Sequence, residues 1–217
     1  MKNVYIYCEG QTEESFINEI LYSYFLNRGI VVHPIVCTTK RTVSKKYKGG
    51  VSDYNKIKQE LTKICKSHPN EHITTMFDYY AMPENTPEIG SHDPDLYKRI
   101  DKIEAAVNRD IGQANCMFHF MLHEFEGILF SNPESFGLIA ETDVVNKIRE
   151  IRKSYSTPEQ INNSPETAPS RRLEKLIPNY AKIKNGTLIF KDIGIDKILA
   201  ECPHFREWIE QIRRLGT

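Results

Sequence analysis

Val4 to Cys8 is a short apolar run that stops at Glu9-Gly10, after which Phe16, Ile17, Ile20, Leu21, Tyr24 and Phe25 recur at three- and four-residue intervals. The run predicts a buried strand, and the recurrence predicts a helix from about Glu13 to Arg28 that Gly29 ends. Ile30 to Cys37 is apolar and β-branched and predicts a second strand, with Pro34 favouring an edge or a bend. A helix from about Tyr54 to Ser67 follows, with Ile57, Leu61 and Ile64 inward. Ile73 to Tyr80 predicts a third strand, and Asp95 to Asp110 a third helix with Leu96, Ile100, Ile103, Ala106 and Val107 on one side. Cys116 to Leu122 is nearly continuously apolar, as a central strand covered on both faces would be. From Asn132 the pattern is helical with polar interruptions, and it includes Asp143 to Ser154. Ser156 to Ala168 reads as a long loop and the internal boundary. In the last helix, Pro203 to Leu215, the stripe Phe205, Trp208, Ile209 and Ile212 reads as packing.

Strands alternating with helices predict an α/β fold, a mostly parallel sheet flanked by helices with a helical C-terminal extension. The division is residues 1–155 for the sheet domain and 156–217 for the extension packed on it. The 217 residues are enough for a substantial core, and the balance of 29 basic against 29 acidic residues creates no overall field for a nucleic acid. Contacts to such a partner must therefore be local. Five cysteines without Cys-x-x-Cys spacing predict reduced thiols in a cytoplasmic protein and no zinc site. No apolar run approaches membrane-spanning length, so no membrane association is expected.

The chemistry gathers at the strand ends. Glu9 closes the first strand, Glu13 lies in the helical turn after it, Asp78 falls at the end of the third strand, and Glu126 follows the fourth. In an open parallel sheet, ligands bind outside these carboxyl ends. Glu13 and Glu14 also suit any first helical turn, with Thr12 as its cap, but that plainer account leaves Glu9 unexplained. At most one of Glu124 and Glu126 need face the crevice, and Glu126, beside Gly127, is preferred. Crowded carboxylates raise one another's pKa unless a cation is present, and an all-oxygen ligand set suits Mg2+ or Mn2+ more than zinc. One such ion would polarise a phosphoryl oxygen and activate water; two would clamp the attacking and leaving oxygens. His123 is a secondary candidate for a base, with a structural role as its alternative. Phosphate contacts are expected from Lys45 and Lys46 in the hydroxyl-rich basic loop Thr38–Gly50, from Arg171 and Arg172 at a helix start, and from Lys182. Solvated surface is the plainer account of that loop, as a capped surface helix is of the two arginines. The proline-rich stretch Ala81 to Pro94 reads as an active-site loop.

Glu9-Gly-x-Thr-Glu13, Phe77-Asp-Tyr-Tyr80, His123-Glu-Phe-Glu126, Ala168-Pro-Ser-Arg-Arg-Leu173 and Cys202-Pro-His-Phe205 together resemble the Toprim-like domain of unknown function four-two-seven-six. That family is similar in turn to the Toprim nuclease domains of overcoming-lysogenization-defect proteins. The resemblance covers nearly the whole chain and implies a Mg2+- or Mn2+-dependent nuclease, or a related phosphoryl-transfer enzyme, acting on DNA or RNA. Glu9 would then be a metal ligand or general base, and Glu13, Asp78 and Glu126 catalytic metal ligands, with Glu124 available as a further one. Tyr80 stands where the nuclease relatives have the second Asp of Asp-x-Asp, so two-metal chemistry requires Glu124, Glu84 or another loop residue in its place. Relatives of this kind accompany ABC-type ATPases in prokaryotic phage-defence loci, which implies an ATPase partner. Two other functions stay open: a non-catalytic Toprim-scaffold subunit that regulates such an ATPase, and a small-molecule phosphatase or nucleotide-binding enzyme.

Overall fold

The computed structural model describes residues 1–38, 53–162 and 166–216. Strand β1 (Lys2–Cys8) points Val4, Ile6 and Cys8 to one face and Tyr5 and Tyr7 to the other, the two-residue period of a strand covered on both sides. It runs parallel to β2 (Ile30–Val36) on one flank and to β3 (His72–Asp78) on the other. β4 (Cys116–Met117) and β5 (Phe120–Met121) both pair in parallel with β3. The main path is therefore β2-β1-β3-β4, with β2 at the edge that Pro34 requires. The chain leaves β1 toward one edge and returns through β3 to build toward the other. This reversal makes the gap between the carboxyl ends of β1 and β3 the topological switch point, where open α/β sheets form a crevice.

The predicted first helix is α1 (Gln11–Phe16) continued through a π-helical turn (Ile17–Leu21) into α2 (Tyr22–Leu26). Thr12 does not cap it; Gly10 occupies the capping position without a side-chain bond. Helix α3 (Tyr54–Ser67) is capped by Asp53, whose carboxylate accepts from the Asn55 amide at 3.0 Å. Helix α4 (Leu96–Ile111) is capped by Asp95 and stopped by Gly112 at φ 63°, a left-handed turn that glycine adopts without strain. Helices α3 and α4 cover one sheet face, where Tyr7, Phe77 and Phe118 meet Ile57, Leu61, Ile100 and Ile103.

The other face packs Val4, Ile6, Cys8 and Met76 against α1, α2 and the C-terminal helices. Those helices are α5 (Thr142–Lys153), α6 (Pro169–Leu176), α7 (Lys182–Ile193), α8 (Ile195–Glu201) and α9 (Pro203–Arg213). The stripe of Phe205, Trp208, Ile209 and Ile212 on α9 is buried, and the Trp208 indole N–H donates to Thr74 Oγ1 at 2.8 Å. Burying such side chains stabilises by about 1.5–3 kcal/mol each.

Two sequence expectations are corrected. The third strand ends at Asp78, and Tyr79–Ala81 form a 3-10 turn instead of extending it to Tyr80. The single strand expected over Cys116–Leu122 is broken at Phe118 and His119 because side chains take the backbone bonds there. Thr75 Oγ1 donates to the His119 carbonyl and accepts from its amide, both at 2.8 Å, while Asn108 and Glu104 accept from the amides of Phe118 and Phe120. Among the described residues no helix is long and apolar enough to cross a membrane, and all five cysteines are free thiols.

Candidate functional site

The ends of β1 and β3 lie side by side because Cys8 pairs with Met76, and the Glu9 amide continues the ladder by donating to the Met76 carbonyl at 3.3 Å. Glu9 and Asp78 therefore leave adjacent strands at the switch point. Glu9 and Glu13 are 7 % and 8 % exposed, although both are carboxylates. A Cβ on Gly10 would lie 3.4 Å from Glu13 Oε2, so the lack of a side chain lets the Glu13 carboxylate approach the strand end.

After β5 the chain turns sharply at His123, whose φ of 62° lies in the left-handed region that non-glycine residues rarely adopt. The Tyr80 amide donates to the His123 carbonyl and fixes the turn against β3. Glu124 then precedes a 3-10 helix (Phe125–Ser131) that carries Glu126 inward to 4 % exposure. The Phe125 amide donates to Asp78 Oδ1 at 2.8 Å and fastens this turn to the end of β3. Glu124 Oε2 accepts from the Ser170 amide at 3.0 Å, in the first turn of α6.

Three aromatic rings underlie the acids. Phe16, Phe125 and Phe190 have centroid separations of 4.7–4.9 Å and join α1, the 3-10 helix and α7. Phe16 lies one turn after Glu13, Phe125 separates Glu124 from Glu126, and Phe190 lies on the helix that begins at Lys182. Each such pair contributes about 0.5–1.5 kcal/mol beyond its burial. The packing core of the C-terminal face therefore also sets the spacing of the acids.

Electrostatics follow from that crowding. Burial, and then the charges of Glu9, Glu13, Glu126 and Glu124, push the Asp78 carboxyl well above the usual range. Burial also raises Glu126, although Lys182 opposes it. Lys182 Nζ lies 2.9 Å from Glu126 Oε1; burial disfavours the ammonium, but Glu126, Glu124 and Asp78 outweigh it and raise its pKa. Asp78 thus feels four other carboxyl groups, Glu9, Glu13, Glu124 and Glu126, and Lys182 is paired with the last of them. Both glutamates of the His-Glu-Phe-Glu segment act on Asp78, where the sequence required only one.

The remaining candidates lie elsewhere or are engaged. Arg171 pairs with Glu174, and Arg172 donates to the Thr167 carbonyl and to the Tyr155 hydroxyl. Lys45 and Lys46, with most of their basic loop, lie outside the described residues. His123 faces a groove beside the acids, where burial and the neighbouring Arg99 lower its pKa to about 4 and keep the ring neutral at pH 7.

A second cluster was missed in the sequence. Glu104, His119 and His204 each present one ligand atom within 4.8 Å of the others and could hold a metal ion. Glu104 Oε1 lies 3.4 Å from His119 Nδ1 and 3.1 Å from His204 Nε2, and it also accepts from the Phe120 amide at 2.7 Å. The two imidazoles are stacked, with centroids 4.6 Å apart and planes at 21°, and His119 is stacked in turn on Trp208. Both ring nitrogens lie against the same Glu104 oxygen, so the arrangement as folded is a carboxylate shared between two imidazoles. The only sequence signal was His204 within Cys-Pro-His-Phe; nothing in spacing connects it to Glu104 on α4 or to His119 in the broken strand.

A family model described as a domain of unknown function, DUF4276, matches residues 8–213 of the chain. No curated protein matches it, and no solved structure does.

Proposed function

The chain belongs to the DUF4276 family, a domain of unknown function, and from its site we propose a Mg2+- or Mn2+-dependent phosphodiester hydrolase acting on DNA or RNA. One observation carries the reading: five carboxyl groups converge at the switch point of the sheet, where Lys182 pairs with Glu126. Asp78, held well above its usual pKa by burial and then by the charges of its neighbours, marks a place where a further cation would be stabilising. The donors are oxygens, which fits a hard divalent cation held by Glu9, Glu13 and Asp78, with Glu124 and Glu126 in reserve. Such a cation supplies polarisation of a phosphoryl oxygen and a more acidic bound water.

The chain's own residues orient and balance this charge. The Phe125 amide fixes one oxygen of Asp78, and the Ser170 amide fixes one oxygen of Glu124. His123 is neutral at pH 7 and presents an uncharged imidazole to the groove beside the acids. Tyr80, at the place of the second Asp in the Toprim nucleases that the motifs resemble, is 42 % exposed, and Glu124 and Glu126 make up the carboxylate count instead. Kinship with the Toprim nucleases and action beside an ABC-type ATPase in phage defence belong to the same reading.

Calorimetric titration of Mn2+ into the wild type, Glu9→Ala and Asp78→Ala, with folding followed by circular dichroism and cleavage of single- and double-stranded polynucleotides assayed in parallel, tests it. Binding and cleavage should be present in the wild type and lost in both folded variants. Unchanged metal-dependent cleavage in either variant would overturn it. A second reading, a non-catalytic Toprim-scaffold subunit regulating a partner ATPase, draws on the Lys182–Glu126 pair, which already neutralises one carboxylate. A wild type that binds no Mn2+ at millimolar concentration selects it.

A further inference from the structure

Beside the acids, and sharing no carboxylate with them, runs a groove of about 420 Å³ lined by Tyr79, Tyr80, Met82, Ile89, Arg99, His123 and Asn162. It adjoins, through Arg99, His123 and Asn162, a space of about 730 Å³ bounded by Asp95, Leu96, Tyr97 and Tyr155. Both lie within the roughly 300–1,000 Å³ usual for small-molecule sites. The groove abuts the acids through the backbone itself, because Tyr79 and Tyr80 follow Asp78 and His123 precedes Glu124.

We propose that this groove is a subsite for one unpaired nucleotide next to the reacting phosphodiester, with Arg99 on a phosphate and the Tyr79–Tyr80 wall against the base. The inference rests on the hydrolase reading for the word "reacting", but the binding it describes does not need the metal.

Three features of the groove point to that ligand. First, Arg99 Nε is buried without a hydrogen-bond partner, and among the described residues no carboxylate forms an ion pair with its guanidinium. Asp95, one turn earlier on α4, is occupied in capping that helix. A buried donor left open is costly, and a guanidinium suits a phosphate in geometry and charge. Second, the wall is aromatic and apolar: Tyr80 is exposed, the Tyr79 ring lies 6.3 Å from the His123 ring, and Met82 and Ile89 line the same groove. Bases stack on such walls irrespective of sequence, and only an unpaired base presents its face. Third, His123 holds a left-handed backbone conformation without being glycine, and strain of that kind persists where the surroundings impose it, commonly at ligand sites. The turn places an imidazole in the groove and sends the next residue, Glu124, toward the acids. A metal is disfavoured here because the cation is already Arg99, and a duplex because its bases are covered.

The test is calorimetric titration of thymidine 5′-monophosphate into the full chain in EDTA, with inorganic phosphate as a second probe and Arg99→Gln, Tyr80→Ala and Glu9→Ala as variants. The nucleotide should bind saturably and more tightly than phosphate. Arg99→Gln should weaken it at least tenfold and Tyr80→Ala about five- to a hundredfold, the span of one base–aromatic stack. Glu9→Ala, which removes a neighbouring negative charge, should not weaken it. Absent binding in EDTA, or binding indifferent to Arg99→Gln in folded protein, overturns the subsite. Nucleotide binding that persists where Mn2+ binding is absent upholds the subsite and removes only the hydrolase reading.

Discussion

Lys182→Met retains most of the apolar stem and removes the charge opposite Glu126. If Lys182 stands in for part of a divalent cation, its removal should make the acids bind metal more tightly, contrary to the usual expectation for a deleted site residue. A unit-charge pair about 4 Å apart is worth about 1 kcal/mol in water and about 4 kcal/mol at an effective dielectric constant near 20. The lysine side chain is 40 % exposed while Glu126 is 6 % exposed, so solvent screening discounts the contact to about 1–2 kcal/mol. That corresponds to about a five- to thirtyfold decrease in the Mn2+ dissociation constant. Calorimetric titration near neutral pH measures it, with Lys182→Arg as a control that keeps the charge and should stay close to the wild type. Mn2+ binding that is unchanged or weaker in folded Lys182→Met would refute the competition between ammonium and metal.

Because Asp78 and Glu126 are raised above the usual carboxylate range, Mn2+ binding should release protons and strengthen as the pH rises through that range; calorimetric heats independent of the buffer's ionisation enthalpy would contradict this. The same shift makes the metal-free protein lose stability as pH rises through the raised Asp78 pKa, since its stabilising form is protonated. His119 behaves oppositely: burial lowers it from 6.5 to about 4, so the unfolded chain takes up its proton first and stability falls as pH drops through that window. His119→Phe keeps a ring on Trp208 and should flatten urea stability between pH 7 and pH 4.5 by up to about 3 kcal/mol, whereas parallel profiles would exclude the effect. Phe125→Ala should cost about 3–5 kcal/mol in urea unfolding, and a loss below about 1 kcal/mol would show that the aromatic trio does not hold the acids together.

The parallel sheet was legible because its strands are period-two or continuously apolar runs bounded by Gly, Pro and carboxylates, and β1, β2 and β3 fall within one or two residues of those runs. The break at His119 was not legible, because it depends on Thr75, Asn108 and Glu104 replacing ladder bonds, and those partners are set by tertiary contact. The acids at the strand ends could be picked out individually. That Glu124 also acts on Asp78 could not, since it follows from a left-handed turn at a histidine, a conformation that sequence does not advertise. The cations were the least legible. Arg171 and Arg172 read as an anion site at a helix start, but Ser170 at that start donates to Glu124, and Arg99, read only as part of a helix, lines the groove. A charge in a sequence announces its sign and not its partner.

The placement of Lys182 has a consequence for synthesis. The ribosome delivers Glu9, Glu13, Asp78, Glu124 and Glu126 well before the helix that carries the balancing ammonium, and before Phe190, which completes the aromatic trio. A chain halted between Glu126 and Lys182 holds all five acids but neither the ammonium that pairs with Glu126 nor the third ring of the trio. The crevice is complete only once the helix that carries both Lys182 and Phe190 has been made.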